Sequence, residues 1–314
     1  MMYKIPSSKM VKIEMKIYLI GVGGVGGFYG GLLAESGADI TLVGRGASFE
    51  KIKEKGIILN CADGIHHIYP VKIIDNVAEI TDPDLIILAV KSYDLENVSQ
   101  NLVAVVKPET IVITIQNGLD NDRTVSRYLS NSQVLPGLVL VAAAKTGANE
   151  ITQRGTQRKL VFGSRDGEIT PKMLEVESVL RRAGIDAHVS KSIDQELWKK
   201  FLFVLSFASA TVAQMGPIGE ALSNPQGLKV YKDVLREAIR VGKSEGVEFE
   251  TDIFEATLKG ALDFDPQTKS SLLVDIQNHR RTEVEALHGV LVRLAQKHGL
   301  PVPMTREIYR KIVE

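Results

Sequence analysis

The chain has 314 residues, with 38 Lys+Arg against 38 Asp+Glu, a net charge of zero and 44% apolar residues. Mixed charges without a basic stripe give no nucleic-acid footprint, and no apolar run reaches the length of a membrane span. The single cysteine, Cys61, excludes an intrachain disulfide and is expected as a buried spectator thiol.

Residues 1–14 contain lysines but no continuous apolar segment and no small-residue cleavage site. A disordered extension is therefore expected there rather than a secretory signal, with cytoplasmic residence as the default. The stretch "MKIYLIGVGGVGGFYGGLLAESGADITLVGR" then predicts a strand over residues 16–20, a helix over 25–36 and a second strand over 39–43. "DLIILAVKS" (84–92) and "ETIVITIQNG" (109–118) are continuous apolar runs suited to strands buried on both faces. Such alternation implies an α/β domain with a parallel sheet and helices on both faces. "VLPGLVLVAAAKTG" predicts a further strand and "ITQRGTQRKLVFGS" a hairpin, followed by a helix over 171–183 and a closing strand in "IDAHVS". From residue 193 onward the pattern is helical: 194–213, 225–245, 252–262 and one long segment over 268–298. Two domains are expected, 1–190 and 191–314.

"GVGGVG" sets Gly21, Gly23 and Gly26 in G-x-G-x-x-G spacing, with Gly24 and Val25 completing the loop. Alone the motif is weak, but here it follows a strand and opens a helix, as in a Rossmann-type dinucleotide site. Gly21 permits the tight turn, Gly23 a close approach of pyrophosphate, and Gly26 tight helix–strand packing. At the end of the second strand an NAD site usually has an acid for the ribose 2′-OH. This chain has Arg45 there, and guanidinium favours a phosphate ester, so NADPH is expected over NADH. Lys91 and Asn117 leave the carboxyl ends of two further strands, the edge where open α/β sheets bind ligands.

Reduction of a carbonyl needs a proton donor at the developing alkoxide. In "QELWKKFLFVLSFASA" Lys200 enters an apolar helix and suits that task if burial lowers its pKa. Lys199, about 100° away on the helix, can snorkel to solvent. In "SSLLVDIQNHRRTEVEALHG" Ser271, Asp275, Gln277 and Glu283 recur on one predicted helix opposite Leu272, Leu273, Ile276 and Leu287. The six histidines (His66, His67, His188, His279, His288 and His298) show no metal-ligand spacing and are expected as surface or spectator residues, with no metal.

"GVGGVGGFYG", "AVKSYD", "QNG", "LWKKF" and "SSLLVDIQNHRRTEVE", in this order, make the chain resemble the ketopantoate reductase (2-dehydropantoate 2-reductase) family from residue 15 to the C-terminus. The resemblance implies a parallel-sheet N-terminal domain and an all-helical C-terminal domain, with the active site in the cleft between them. It implies NADPH-dependent reduction of 2-dehydropantoate to pantoate on the route to coenzyme A. Lys200 matches the catalytic lysine, which decides between Lys200 and Lys199, and Glu283 matches the substrate-binding glutamate. Asn117 matches the asparagine that positions cofactor and substrate, and Ser271 the serine near the substrate carboxylate. Arg45 and Lys91 match residues that hold the NADPH phosphate.

One departure stands out. Where many members carry asparagines one and two turns after the lysine, this chain has Val204 and Ala208. Ser206, Ser209 and Thr211 are the nearby polar residues that could compensate. The apolar pair motivates a rival reading, a reductase of a more apolar 2-oxo acid. A non-catalytic NADP(H)-binding sensor is a third reading, opposed by the presence of both Lys200 and Glu283. The expected partner is a small-molecule 2-oxo acid, and a homodimer through the helical half is compatible with the sequence.

Overall fold

The computed structural model describes residues 15–131 and 133–314, so the extension expected over residues 1–14 lies outside the described residues. Short β-branched runs build the first sheet. The strands β1 (Ile17–Ile20), β2 (Ile40–Val43), β5 (Lys72–Ile74), β6 (Leu85–Leu88) and β7 (Ile111–Thr114) run parallel with the start of β8 (Val134–Lys145). Their spatial order is β5-β2-β1-β6-β7-β8. That is the doubly wound dinucleotide-binding order, with a topological switch between β1 and β6. Every residue of β1, β6 and β7 is buried, as their unbroken apolar runs require.

Beyond β8 the sheet changes direction. β9 (Glu150–Phe162) pairs antiparallel with β8, and β3 (Ile57–Cys61), β4 (Gly64–Ile68) and β10 (Asp186–Val189) complete ten strands. The segment expected to fold as its own hairpin is instead one strand. Its pairing with β8 jumps from Leu140↔Lys159 to Ala142↔Arg154, so residues 155–158 bulge out, with Gly155 at φ +70°. Gly155 sits in a bulge within one strand.

Helices α1 (Gly24–Glu35), α2 (Ala47–Lys55), α3 (Leu95–Leu102), α4 (Asn121–Val125) and α5 (Pro171–Arg182) accompany the sheet. The helical region begins with α6 (Ile193–Gln214), whose Leu197, Trp198, Phe201, Leu202 and Leu205 are buried. It continues with α7 (Ile218–Ser223), α8 (Pro225–Ser244) and α9 (Ile253–Leu262). Leu119, Leu138 and Val161 of the sheet region belong to the same apolar cluster as α6, so the two regions share a core.

The long helix expected over 268–298 is broken. α10 (Ser271–Gln277) stops, residues 278–283 leave helical geometry with His279 at φ +52°, and a π-turn (Glu285–Gly289) leads into α11 (Val290–Lys297). The chain ends in α12 (Pro303–Val313). No helix among the described residues is long and apolar enough to cross a membrane.

Candidate active site

The carboxyl ends of β1, β2, β6 and β7 open into a cleft of about 610 Å³. It is lined by Gly21, Gly23, Gly24, Val25, Arg45, Lys91, Asn117, Ser271 and Glu283, among others. The expected cofactor-side residues therefore share one cavity with two groups from the helical region. Gly21 sits at φ +105°, and a Cβ there would lie 2.7 Å from the Ala89 backbone. A Cβ on Gly26 would lie 1.9 Å from the Gly21 carbonyl oxygen, so the helix cannot approach the strand with any side chain there.

At Gly23 a Cβ would meet nothing within 4 Å, which leaves open space at the head of α1. α1 has no side-chain cap and no acidic residue in its first turn. Its unpaired N–H groups thus present a positive end to an anion. This cradle fits the pyrophosphate of a dinucleotide. Arg45 is exposed at the cleft rim, and Lys145 reaches Ser48 of the same wall, a second cation that the sequence did not single out. A carboxylate, Asp75, also lines the cleft beyond β5.

Lys91 bridges the two regions. Its Nζ donates to Asp275 Oδ2 at 2.8 Å and to Glu283 Oε2 at 2.9 Å. The other Glu283 oxygen accepts the Ser92 N–H at 2.9 Å. The side chains of Asp275 and Glu283 are 10% and 14% exposed, so both carboxylates need such partners. Burial opposes the Lys91 charge, but Glu283 and Asp275 outweigh it and raise its pKa. Lys91, expected against the cofactor phosphate, is thus committed to two carboxylates and fixes the position of Glu283. The break after α10 makes this possible, because it separates Glu283 from the helix that carries Asp275. Asp275 was left without a role by sequence reasoning, which set it on the face opposite Leu272 and Leu273; it is buried with them.

Lys200, itself part-buried, lines a separate small pocket of about 10 Å³, room for roughly one water. Gln116, Asn117, Gly118, Leu138, Leu197, Phe201, Val204 and Leu287 complete its lining. Gln116 and Asn117 also line the larger cleft, so the two cavities meet across the end of β7. Desolvation pushes the Lys200 pKa down to about 8, and the attraction of Glu283 opposes part of that shift. Lys199 instead pairs with Glu250 at 2.5 Å on the surface. Adjacent lysines on one helix thus have opposite environments, as their angular separation requires.

The hydroxyls near Val204 and Ala208 do not compensate for them. Ser209 Oγ donates to the Leu205 carbonyl and meets His288 Nε2 at 2.9 Å. Thr211 Oγ1 is held by the Phe207 and Ala208 carbonyls and Ser270 Oγ, and Ser206 is fully buried. None of the three is among the residues lining the Lys200 pocket.

Of the histidines expected as surface or spectator residues, His288 is a buried spectator: desolvation pushes its pKa down to about 3, so it is neutral. Cys61 is only partly buried, and burial still raises its thiol pKa. Ligand atoms of Cys61, Asp63 and His66 also lie within 4.8 Å of one another, a grouping hidden in the sequence spacing. Both His66 nitrogens already face carboxylates, Glu35 and Asp63, and Arg158 pairs with Asp63. This is an ion-pair cluster on the β3–β4 hairpin.

Residues 17–167 match the family described as Ketopantoate reductase PanE/ApbA, and residues 192–314 match its C-terminal counterpart. The chain belongs to the ketopantoate reductase family. An oxidoreductase of Bacillus subtilis named YkpB and described as uncharacterized is 28% identical over 95% of this chain and 98% of its own length. The 2-dehydropantoate 2-reductase of Halobacterium salinarum is 26% identical over 94% and 96%. The crystal structure of a PanE/ApbA family ketopantoate reductase from Ralstonia eutropha superposes with a TM-score of 0.88. It is 25% identical and covers 95% of this chain and 97% of the other. The ketopantoate reductase family is one of oxidoreductases that use a nicotinamide cofactor, and this chain is an enzyme of that kind.

Proposed function

We propose that this family member reduces a 2-oxo acid with NADPH, 2-dehydropantoate being the leading substrate, in the cleft where the sheet edge meets α6 and α10. In this reading residues 1–190 bind the cofactor and residues 191–314 close the substrate side. A bound nicotinamide dinucleotide supplies the hydride. The observation that carries the reading is Lys200: an ammonium with no ion pair among the described residues, its pKa lowered to about 8, beside the cleft lined by the glycine loop. Lys200 donates its proton to the carbonyl oxygen as charge develops there. Glu283, held by Lys91 and the Ser92 N–H, keeps a fixed negative charge near the ammonium and, with Asn117 and Ser271, orients the substrate. Exposed Arg45 supports NADPH, since a guanidinium at the cleft rim without a carboxylate partner among the described residues can fork onto a 2′-phosphate.

The apolar wall of Leu138, Leu197, Phe201, Val204 and Leu287 favours a second reading, a branched or aromatic 2-oxo acid. A cofactor-oxidation assay with 2-dehydropantoate and with branched and aromatic 2-oxo acids, each with NADPH and NADH, tests both. The expected outcome is turnover of 2-dehydropantoate with NADPH preferred. Preference for the apolar acids selects the second reading, and equal use of the two cofactors contradicts the role of Arg45. Cofactor binding without turnover on any 2-oxo acid sinks the reductase reading.

A further inference from the structure

A buried amide without partners stands where the two cavities meet. Gln116, just past β7, is 7% exposed and lines both the 610 Å³ cleft and the 10 Å³ pocket of Lys200. Among the described residues neither its Nε2 nor its Oε1 has a hydrogen-bond partner. Leaving a buried polar group unpaired costs about 1–3 kcal/mol, so a native orphan of this kind calls for an explanation.

The surroundings limit what could satisfy it. The side chains lining the Lys200 pocket are otherwise apolar, apart from Lys200 and Asn117. The pocket of about 10 Å³ is too small for a 2-oxo acid, but Gln116 also lines the 610 Å³ cleft together with Ser271 and Glu283. Its amide therefore belongs to the wall that a substrate seated in that cleft meets.

We propose that Gln116 is a specificity-determining residue that hydrogen-bonds a hydroxyl on the side chain of the 2-oxo acid. The inference rests on the reductase reading and names the substrate class within it. A keto oxygen and a carboxylate are acceptors only, so they would engage Nε2–H and leave Oε1 unpaired. A hydroxyl both donates and accepts, and so answers both ends of the amide. Sites that hydrogen-bond a substrate hydroxyl reject analogues lacking it, because their own polar groups are then left unpaired.

The test compares kcat/KM for 2-dehydropantoate with that for its deoxy counterpart, in which the hydroxymethyl is a methyl, in wild type and Gln116→Met. Wild type is expected to prefer the hydroxylated acid, and Gln116→Met to reduce that ratio by about tenfold or more. The ligand-free variant should have a Tm equal to or above wild type, because an unpaired amide has been replaced by an apolar chain of similar size. Gln116→Leu serves as a second variant in both measurements. An unchanged ratio in the variants, or no wild-type preference for the hydroxyl, overturns the inference while the reductase reading stands. Failure of both variants to fold also overturns it, since Gln116 has no protein partner among the described residues for the substitution to remove. Wild type that turns over neither acid sinks the reductase reading itself.

Discussion

Lys200→Met is expected to lower kcat for 2-oxo acid reduction by about 10²–10⁴-fold, the usual contribution of a positioned general acid, while NADPH still binds. Methionine preserves the length and packing of the stem on α6 but carries no proton. The cofactor cradle is built from Gly21, Gly23, Gly24 and the head of α1, to which Lys200 contributes nothing. Binding measured by fluorescence or calorimetry should therefore survive while turnover collapses. Near-normal turnover would remove Lys200 from the chemistry. The same variant has a stability signature. A lysine whose pKa falls from about 10.5 to about 8 on folding penalises the fold while it is charged. That penalty is fully present below pH 8 and is relieved as the pH rises toward 10.5. Denaturation of wild type and Lys200→Met should thus favour the variant most at neutral pH.

Glu283→Gln should lower kcat/KM by about 10²-fold or more, in line with truncating one partner of a buried, hydrogen-bonded charge pair. Glu283 accepts from Lys91 Nζ and from the Ser92 N–H, each at 2.9 Å, so it joins the sheet edge to the helical region. Glutamine keeps the shape and can still accept, but it removes the charge that attracts Lys200 and compensates Lys91. Because Glu283 raises the Lys200 pKa, its loss should also move the alkaline limit of activity to lower pH. Steady-state kinetics across pH checks both effects. An unchanged kcat/KM would show that Glu283 serves only the structure.

Local spacing made much of this legible. The glycine loop, Arg45, Lys91 and Asn117 each follow the end of a strand, and strand ends at one sheet edge converge by topology. The Lys199/Lys200 pair was readable because helical geometry sends neighbours to different faces. The break over residues 278–283 was not, because "NHRRTE" reads equally well as the solvated side of a helix. What favours the break is tertiary: the Glu283 carboxylate meets the N–H of Ser92, 191 residues away in sequence. Gln116 was hidden for a related reason. It continues an apolar run, and its lack of partners is a property of packing that no single sequence displays. The burial of His288 was likewise not legible, since a neutral histidine bonded to Ser209 can sit in a core where a charged one could not.

The central claim is that an ammonium with a lowered pKa delivers the proton, and the pH dependence of kcat/KM for 2-oxo acid reduction tests it most directly. The reduction should be level below pH about 8 and fall by about tenfold per pH unit above it, as Lys200 loses the proton it must donate. A profile that stays level to pH 10 would contradict the account, because a lysine titrating at its ordinary value would then serve equally well.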